Sequence, residues 1–231
     1  MLRVGLTGGL GSGKSTVASY LREFGAEVIE SDELGRALME PGQPVYAEIL
    51  RVFGPEVAGP DGRLNRARLA ELAFGGGRLQ TLNSIVHPAV IEAQQRWMEN
   101  VFARDRTAVA VVVSALIFEV ERDALASGVK DSVMADWRRR IDRVVVVTAP
   151  DETKIARYAA RLSPDGVAAE AIKADARSRL AHQIPDATKA ARADYVVENT
   201  GDLASLRSKV QDIWTRLKAE SNKLTTSESL K

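Results

Sequence analysis

Gly8-Gly9-Leu10-Gly11-Ser12-Gly13-Lys14-Ser15 completes the pattern G-x-x-x-x-G-K-[ST] at the seam between two segments of different hydrophobic period. Before the seam, Leu2-Arg3-Val4-Gly5-Leu6-Thr7 reads as a short buried strand; after it, Val17, Tyr20, Leu21 and Phe24 recur at helical spacing until Gly25 ends the helix. Glycines let such a junction turn tightly and aim successive amide N–H groups at one point. The helix start adds a partial positive charge that favours anions. The combination is a cradle for nucleotide phosphates, in which Lys14 supplies a point charge for the β- and γ-phosphates and Ser15 a hydroxyl for Mg²⁺. Gly9, Gly11, Ser12, Gly13, Lys14, Ser15 and Thr16 are the candidate nucleotide-binding residues. A chance glycine-rich turn is the plain alternative, and the placement of every fixed position at a strand-to-helix junction argues against it.

Further β-branched runs follow at Glu27 to Glu30, Ala108 to Ser114, Arg143 to Thr148 and Asp194 to Glu198, separated by helical stretches. That alternation predicts an α/β fold: five strands in a mostly parallel sheet wrapped by helices, with ligands at the carboxyl ends of the strands. A length of 231 residues suits one such domain carrying insertions. The net charge of +1 gives no global signal for nucleic acid, so any basic patch is local and aimed at a small polyanion. Cysteine is absent, which fits a reducing compartment. The valine runs are far too short to span a bilayer and the amino terminus lacks signal-peptide form, so the expectation is a soluble cytoplasmic protein, with no membrane partner.

Two excursions interrupt the alternation. The first opens at Pro41-Gly42-Gln43-Pro44, turns at Gly59-Pro60-Asp61-Gly62 and at Gly75-Gly76-Gly77, and ends in a helix from about Pro88 to Arg104. On that helix Val90, Trp97, Met98, Val101 and Phe102 form a packing face. The second excursion carries Lys154, Arg157, Arg161, Lys173, Arg177 and Arg179 and is broken at Ser163-Pro164-Asp165-Gly166. From Lys218 onward the chain is polar, and a frayed tail is expected.

A phosphate loop alone does not separate kinases from GTPases, motor ATPases or nucleotide-gated binding modules. The strand Ala108 to Ser114 ends without the aspartate that motor ATPases use to hold Mg²⁺. Asp32-Glu33-Leu34-Gly35 matches the D-x-x-G of GTPases, but it follows the second strand too closely, and no N-K-x-D guanine reader ends a later strand.

Several segments in order resemble the dephospho-coenzyme A kinase family over roughly residues 3 to 215. They are Gly5 to Ala18 with its paired glycines; Val28-Ile29-Glu30-Ser31-Asp32 with Arg36; Leu69 to Phe74; Leu82-Asn83-Ser84-Ile85-Val86-His87-Pro88; Leu116-Ile117-Phe118-Glu119; and Arg179, Gln183, Lys189, Ala193-Asp194-Tyr195 and Asn199. The chain departs from the family pattern at Glu30, Ala115 and Lys154, in a longer stretch at 120–141 and in an insertion around 163–174. The resemblance implies an architecture like that of nucleoside monophosphate kinases. Residues 1–40, 105–150 and 190–217 would make the nucleotide-binding core, 41–104 the helical acceptor-binding insertion, 151–189 a lid and 218–231 a disordered tail. It also implies transfer of the γ-phosphoryl group of ATP to the ribose 3′-hydroxyl of dephospho-coenzyme A, a small-molecule partner, by a chain for which a monomer is favoured.

Residue roles follow the resemblance. Asp32 would orient or deprotonate the attacking hydroxyl; a helix N-cap is its ordinary alternative, and the residues alone leave the two nearly even. Arg157 and Arg161, one helical turn apart, would close over ATP as part of the lid, Arg161 being preferred as catalytic and Arg157 as nucleotide-binding; a solvated basic helix is the alternative. Arg36 and His87 would contact the acceptor, although His87 before Pro88 also reads as a turn residue at a helix start. Glu119 stays open between a helix-capping acid and an indirect metal partner. A kinase for another small acceptor and a binding module ordered by ATP remain the competing readings.

Overall fold

The computed structural model describes residues 1–163 and 169–228. The β-branched runs become β1 (Leu2–Gly8), β2 (Glu27–Glu30), β3 (Val109–Val113), β4 (Arg143–Thr148) and β5 (Tyr195–Glu198). They form one five-stranded sheet in the order β2-β3-β1-β4-β5. β1 pairs in parallel with β3 and with β4, and β4 in parallel with β5. The strand order therefore reverses beside β1, so the glycine loop leaves the sheet at its topological switch point.

Helices connect the strands: α1 (Lys14–Glu23), α2 (Ser31–Leu38), α3 (Pro44–Phe53), α4 (Arg66–Ala70), α5 (Leu79–Arg104), α6 (Ile117–Ala126), α7 (Asp151–Leu162), α8 (Ala169–His182), α9 (Asp186–Ala190) and α10 (Leu203–Glu228). Successive side chains of a strand point to opposite faces. Thus Val145 and Val147 of β4 join Val17 and Leu21 of α1 and Leu206, Val210 and Leu217 of α10 in one core, while Val144 and Val146 join Ile117, Phe118, Trp137 and Ile141 in another.

The chain divides into two compact units, one made of residues 1–28 and 98–231 and the other of Ile29–Trp97. The second has its own core of Val45, Ile49, Phe53, Val57 and Leu69. It starts earlier than the expected insertion and takes in α2, which carries Asp32 and Arg36.

Two local expectations need correction. Pro88 does not begin a helix but lies inside α5. Leu82, Ile85, Val86 and Ala89 pack on the core of the second unit, and that apolar contact outweighs the amide hydrogen bond a proline cannot make. The polar carboxyl-terminal stretch is not a frayed tail through Glu228, because it continues α10. Ser221 is fully buried, and its Oγ donates to the carbonyl of Thr107 or Ala108, at 3.0 and 3.1 Å. Lys218 Nζ and Thr225 Oγ1 likewise donate to the carbonyls of Thr107 and Arg106, at 2.8 and 3.0 Å. Polarity here serves the loop before β3 rather than solvent. The longer stretch at 120–141 returns after α6 to bury Trp137 edge-on against Phe118, with ring centroids 5.5 Å apart. The break at Pro164-Asp165-Gly166 lies outside the described residues.

Replacing Trp137 by alanine removes a 2 % exposed side chain from the second core. The expected loss of stability is about 3–5 kcal/mol, read from urea unfolding followed by far-UV circular dichroism.

Candidate active site

The loop Gly9 to Gly13 joins β1 to α1 without a side-chain cap at the helix start and without an acidic residue in the first turn. The positive end of α1 is therefore not neutralised by its own sequence. Gly11 and Gly13 adopt φ of +72° and +97°, a region costly for other residues. Their missing side chains also make room: a Cβ on Gly11 would strike the main-chain carbonyl of Lys154, and one on Gly13 the Asn199 amide.

The loop is gripped from outside by later parts of the chain. Asn199, at the end of β5 and 6 % exposed, donates from Nδ2 to the Ser12 carbonyl at 2.8 Å. Arg157 of α7 donates to the Asn199 carbonyl at 3.2 Å. Gly9 N–H donates to Asp186 Oδ1 at 3.2 Å, and Leu10 N–H to Gln183 Oε1 at 3.1 Å. Lys14 Nζ donates to the Gly8 and Gly9 carbonyls, both at 2.9 Å. Ser15 is exposed in the first turn of α1, with Thr16 half-buried beside it.

Lys154 is almost fully buried, with Nζ 2.7 Å from Asp151 and 2.9 Å from Asp186. Burial alone would push its ammonium pKa down, but the two carboxylates outweigh that effect and hold it above its ordinary value. Glu119 is buried against Lys189, 2.7 Å from its Nζ, and accepts the Ile184 N–H at 3.0 Å. Its Oε1 contacts hold the segment after α8.

The other sequence-derived candidates fall into two groups. Arg161 shares α7 with Arg157 but is exposed, its guanidinium 5.4 Å from the Tyr158 ring centre. Asp32, Arg36 and His87 belong to the second unit. Asp32 is the second residue of α2, whose N-cap is Glu30, so the capping alternative for Asp32 is removed. Asp32 and Arg36 are exposed and spaced to share one face of α2, and Met39 and Glu40 follow one turn later. Met39 and Glu40 line a cavity of about 360 Å³ with Arg63, Arg66, Leu69 and Phe74. Phe74, 69 % exposed, sits on a π-helical turn, Glu71–Gly75. His87 is half-buried within α5.

A family model for dephospho-CoA kinase matches residues 2–205. The chain belongs to the dephospho-CoA kinase family. It is 35 % identical to a dephospho-CoA kinase of Moorella thermoacetica, across 94 % of this chain and 92 % of that protein. The corresponding enzyme of Thermobifida fusca is 38 % identical, with 94 % and 96 % covered. A crystal structure of a Thermus thermophilus protein superposes with a TM-score of 0.69 at 31 % identity, covering 94 % of this chain and 97 % of that one. Family membership agrees with the sheet and loop, yet the grip on the loop was only partly visible beforehand. Gln183 and Asn199 stood out solely through family resemblance. Asp186 follows Pro185 at the start of α9, where an acid reads as an ordinary helix-start residue.

Gly11→Ala adds a side chain in a left-handed conformation against the Lys154 backbone. ATP affinity is expected to fall by about thirtyfold to a hundredfold, the equivalent of ~2–3 kcal/mol of strain, measured by isothermal titration calorimetry.

Proposed function

We propose that this chain transfers the γ-phosphoryl group of ATP to the ribose 3′-hydroxyl of dephospho-coenzyme A, giving coenzyme A and ADP, the last step of coenzyme A synthesis. The observation that carries the proposal is the glycine loop with Lys14 held on two of its carbonyls at the head of α1, in a chain of this family. Phosphoryl transfer passes through a loose transition state, so catalysis rests on alignment and on charge around the moving group. Gly9, Gly11, Ser12, Gly13, Lys14, Ser15 and Thr16 hold the phosphates. Asp32 accepts the hydrogen bond of the attacking hydroxyl.

The donor set fits Mg²⁺ brought in by the nucleotide. Among the described residues no cluster of acids and histidines could hold a metal by itself, whereas the exposed Ser15 hydroxyl stands in the first turn of α1. Ser15 would supply one oxygen ligand, and the ion would neutralise phosphate charge.

In the second unit, α2 acts as a ruler for the acceptor. Asp32 meets the 3′-hydroxyl, Arg36 lies one turn on, and the cavity beyond it takes the pantetheine arm. Arg36 and Arg66 make no ion pair among the described residues, and their charge suits the diphosphate at the head of that arm. His87 would be a further acceptor contact. The small-molecule substrate is consistent with a net charge of +1, and no described helix is long and apolar enough to cross a membrane. A cytoplasmic, monomeric enzyme completes the proposal.

An acceptor panel that includes dephospho-coenzyme A and nucleoside monophosphates tests the reaction: ADP release should depend on dephospho-coenzyme A, and release with another acceptor alone would overturn it. Lys14→Ala should lower turnover several hundredfold or more, about 3–5 kcal/mol of transition-state stabilisation. Asp32→Asn should cut turnover with ATP affinity unchanged in calorimetry. For the lid, Arg161→Ala is expected to slow transfer by about tenfold to a few hundredfold and to raise ADP formed per coenzyme A formed. Unchanged rate and coupling would make the Arg161 side of α7 a solvated basic face and would end the lid assignment.

A further inference from the structure

Both carbonyls that receive the Lys14 ammonium belong to peptide units whose N–H groups are pinned from the other side. The Gly8 carbonyl shares a peptide plane with the Gly9 N–H, which donates to Asp186 Oδ1 at 3.2 Å. The Gly9 carbonyl shares a plane with the Leu10 N–H, which donates to Gln183 Oε1 at 3.1 Å. A trans peptide is planar, with N–H and C=O pointing opposite ways. Holding the N–H therefore aims the carbonyl. Acceptors on the N–H side also polarise the unit and strengthen the carbonyl as an acceptor, the more so when the acceptor is a carboxylate.

We propose that Gln183 and Asp186 are positioning residues for Lys14: they aim the two carbonyls that set the direction of its ammonium toward the nucleotide phosphates. The proposal rests on the kinase reading above and deepens it. Each side chain acts through one peptide unit, Asp186 through the Gly9 N–H and Gln183 through the Leu10 N–H.

The supports of these two side chains are themselves fixed. Asp186 Oδ2 is bonded to the buried Lys154 ammonium at 2.9 Å, so the carboxylate cannot swing away without leaving a buried charge half-paired. The Ile184 N–H, between the two positioning residues, is held by Glu119 at 3.0 Å, and Lys189 at the far end of the segment by Glu119 at 2.7 Å. Gly9 has room for this approach only because it lacks a side chain: a Cβ there would lie 3.0 Å from Asp186 Oδ1 and 3.1 Å from Lys154 Nζ.

A role confined to packing predicts the same loss of ATP binding or transfer whether or not Lys14 is present; positioning predicts a loss that requires Lys14. The test is a double-mutant cycle on the full chain, read by calorimetric ATP binding and by single-turnover ADP formation with dephospho-coenzyme A, with thermal unfolding to confirm folding. Gln183→Met keeps the volume and removes the acceptor. In the presence of Lys14 it should weaken ATP binding or slow transfer by about tenfold with KM for dephospho-coenzyme A unchanged, whereas in the Lys14→Ala background the further change should be less than about twofold. Gln183→Glu and Asp186→Asn, which each keep an acceptor oxygen, should stay within about threefold of the parent, and Asp186→Ala should not. Equal effects of Gln183→Met in both backgrounds, or none with Lys14 present, overturn the proposal. Should Asp186→Ala fail to fold with Lys154 left paired only to Asp151, the Gln183 cycle decides alone, because Gln183 takes part in no ion pair. ATP binding does not involve the acceptor, so the positioning result stands apart from the acceptor panel. A parent chain that binds ATP with the expected cycle but ignores dephospho-coenzyme A sinks the functional reading and leaves positioning intact.

Discussion

A stretch of main chain that has shed most of its side chains has to be held in shape by other parts of the molecule, and the nucleotide end of this protein follows from that constraint. Gly11 and Gly13 admit the Lys154 backbone and the Asn199 amide at distances no Cβ would allow. The amides and carbonyls thus exposed are met by Asn199, Gln183 and Asp186, from three different points in the last third of the chain. Partners so distant in sequence close long loops when they engage, and that closure carries an entropic cost. A phosphate site formed in this way is preorganised by the whole sheet rather than by local sequence.

Two buried lysines secure the most important of those partners. Lys154 and Lys189 are 3 % and 0 % exposed, and each faces a carboxylate, Asp186 and Glu119 respectively. Burying such pairs contributes little net stability, since desolvation offsets most of the attraction, but breaking one is costly. The pairs therefore act as geometric pins. One sits at Asp186 and the other at Lys189, and the Ile184 N–H, two residues before Asp186, is held by the same Glu119, so the segment that presents Gln183 and Asp186 has little freedom to drift.

Most of the fold was legible in the sequence because buried parallel strands are short β-branched runs, and β2 and β4 match their expected limits residue for residue. The phosphate loop was legible because its chemistry demands fixed spacing. What escaped was every feature decided by a distant partner. Pro88 looks like a helix start until the core beneath Leu82 to Ala89 is known. Ser221 and Thr225 look like a polar tail until the carbonyls before β3 appear opposite them. Asp186 looks like one more helix-start acid, and nothing near it in sequence says that its oxygen will face Gly9. Polar residues carry little pattern of their own: a buried serine and an exposed one spell the same.

The two arginines of α7 illustrate why position on one helical face does not settle a role. Arg157 already spends its guanidinium on the Asn199 carbonyl, whereas Arg161 stands exposed over the Tyr158 ring. A group with a good partner at rest, and in the same place when nucleotide binds, contributes to ground state and transition state alike and so alters affinity more than rate. A group whose resting contact is a weak, hydrated cation–π interaction gives up little on moving to phosphate, and its charge counts most when the site has closed and water has left. In the proposed mechanism the anchored arginine therefore belongs to nucleotide binding and the exposed one to turnover, and the hydrogen bond from Arg157 to Asn199 is what ties the helix carrying Arg161 to the loop it must serve.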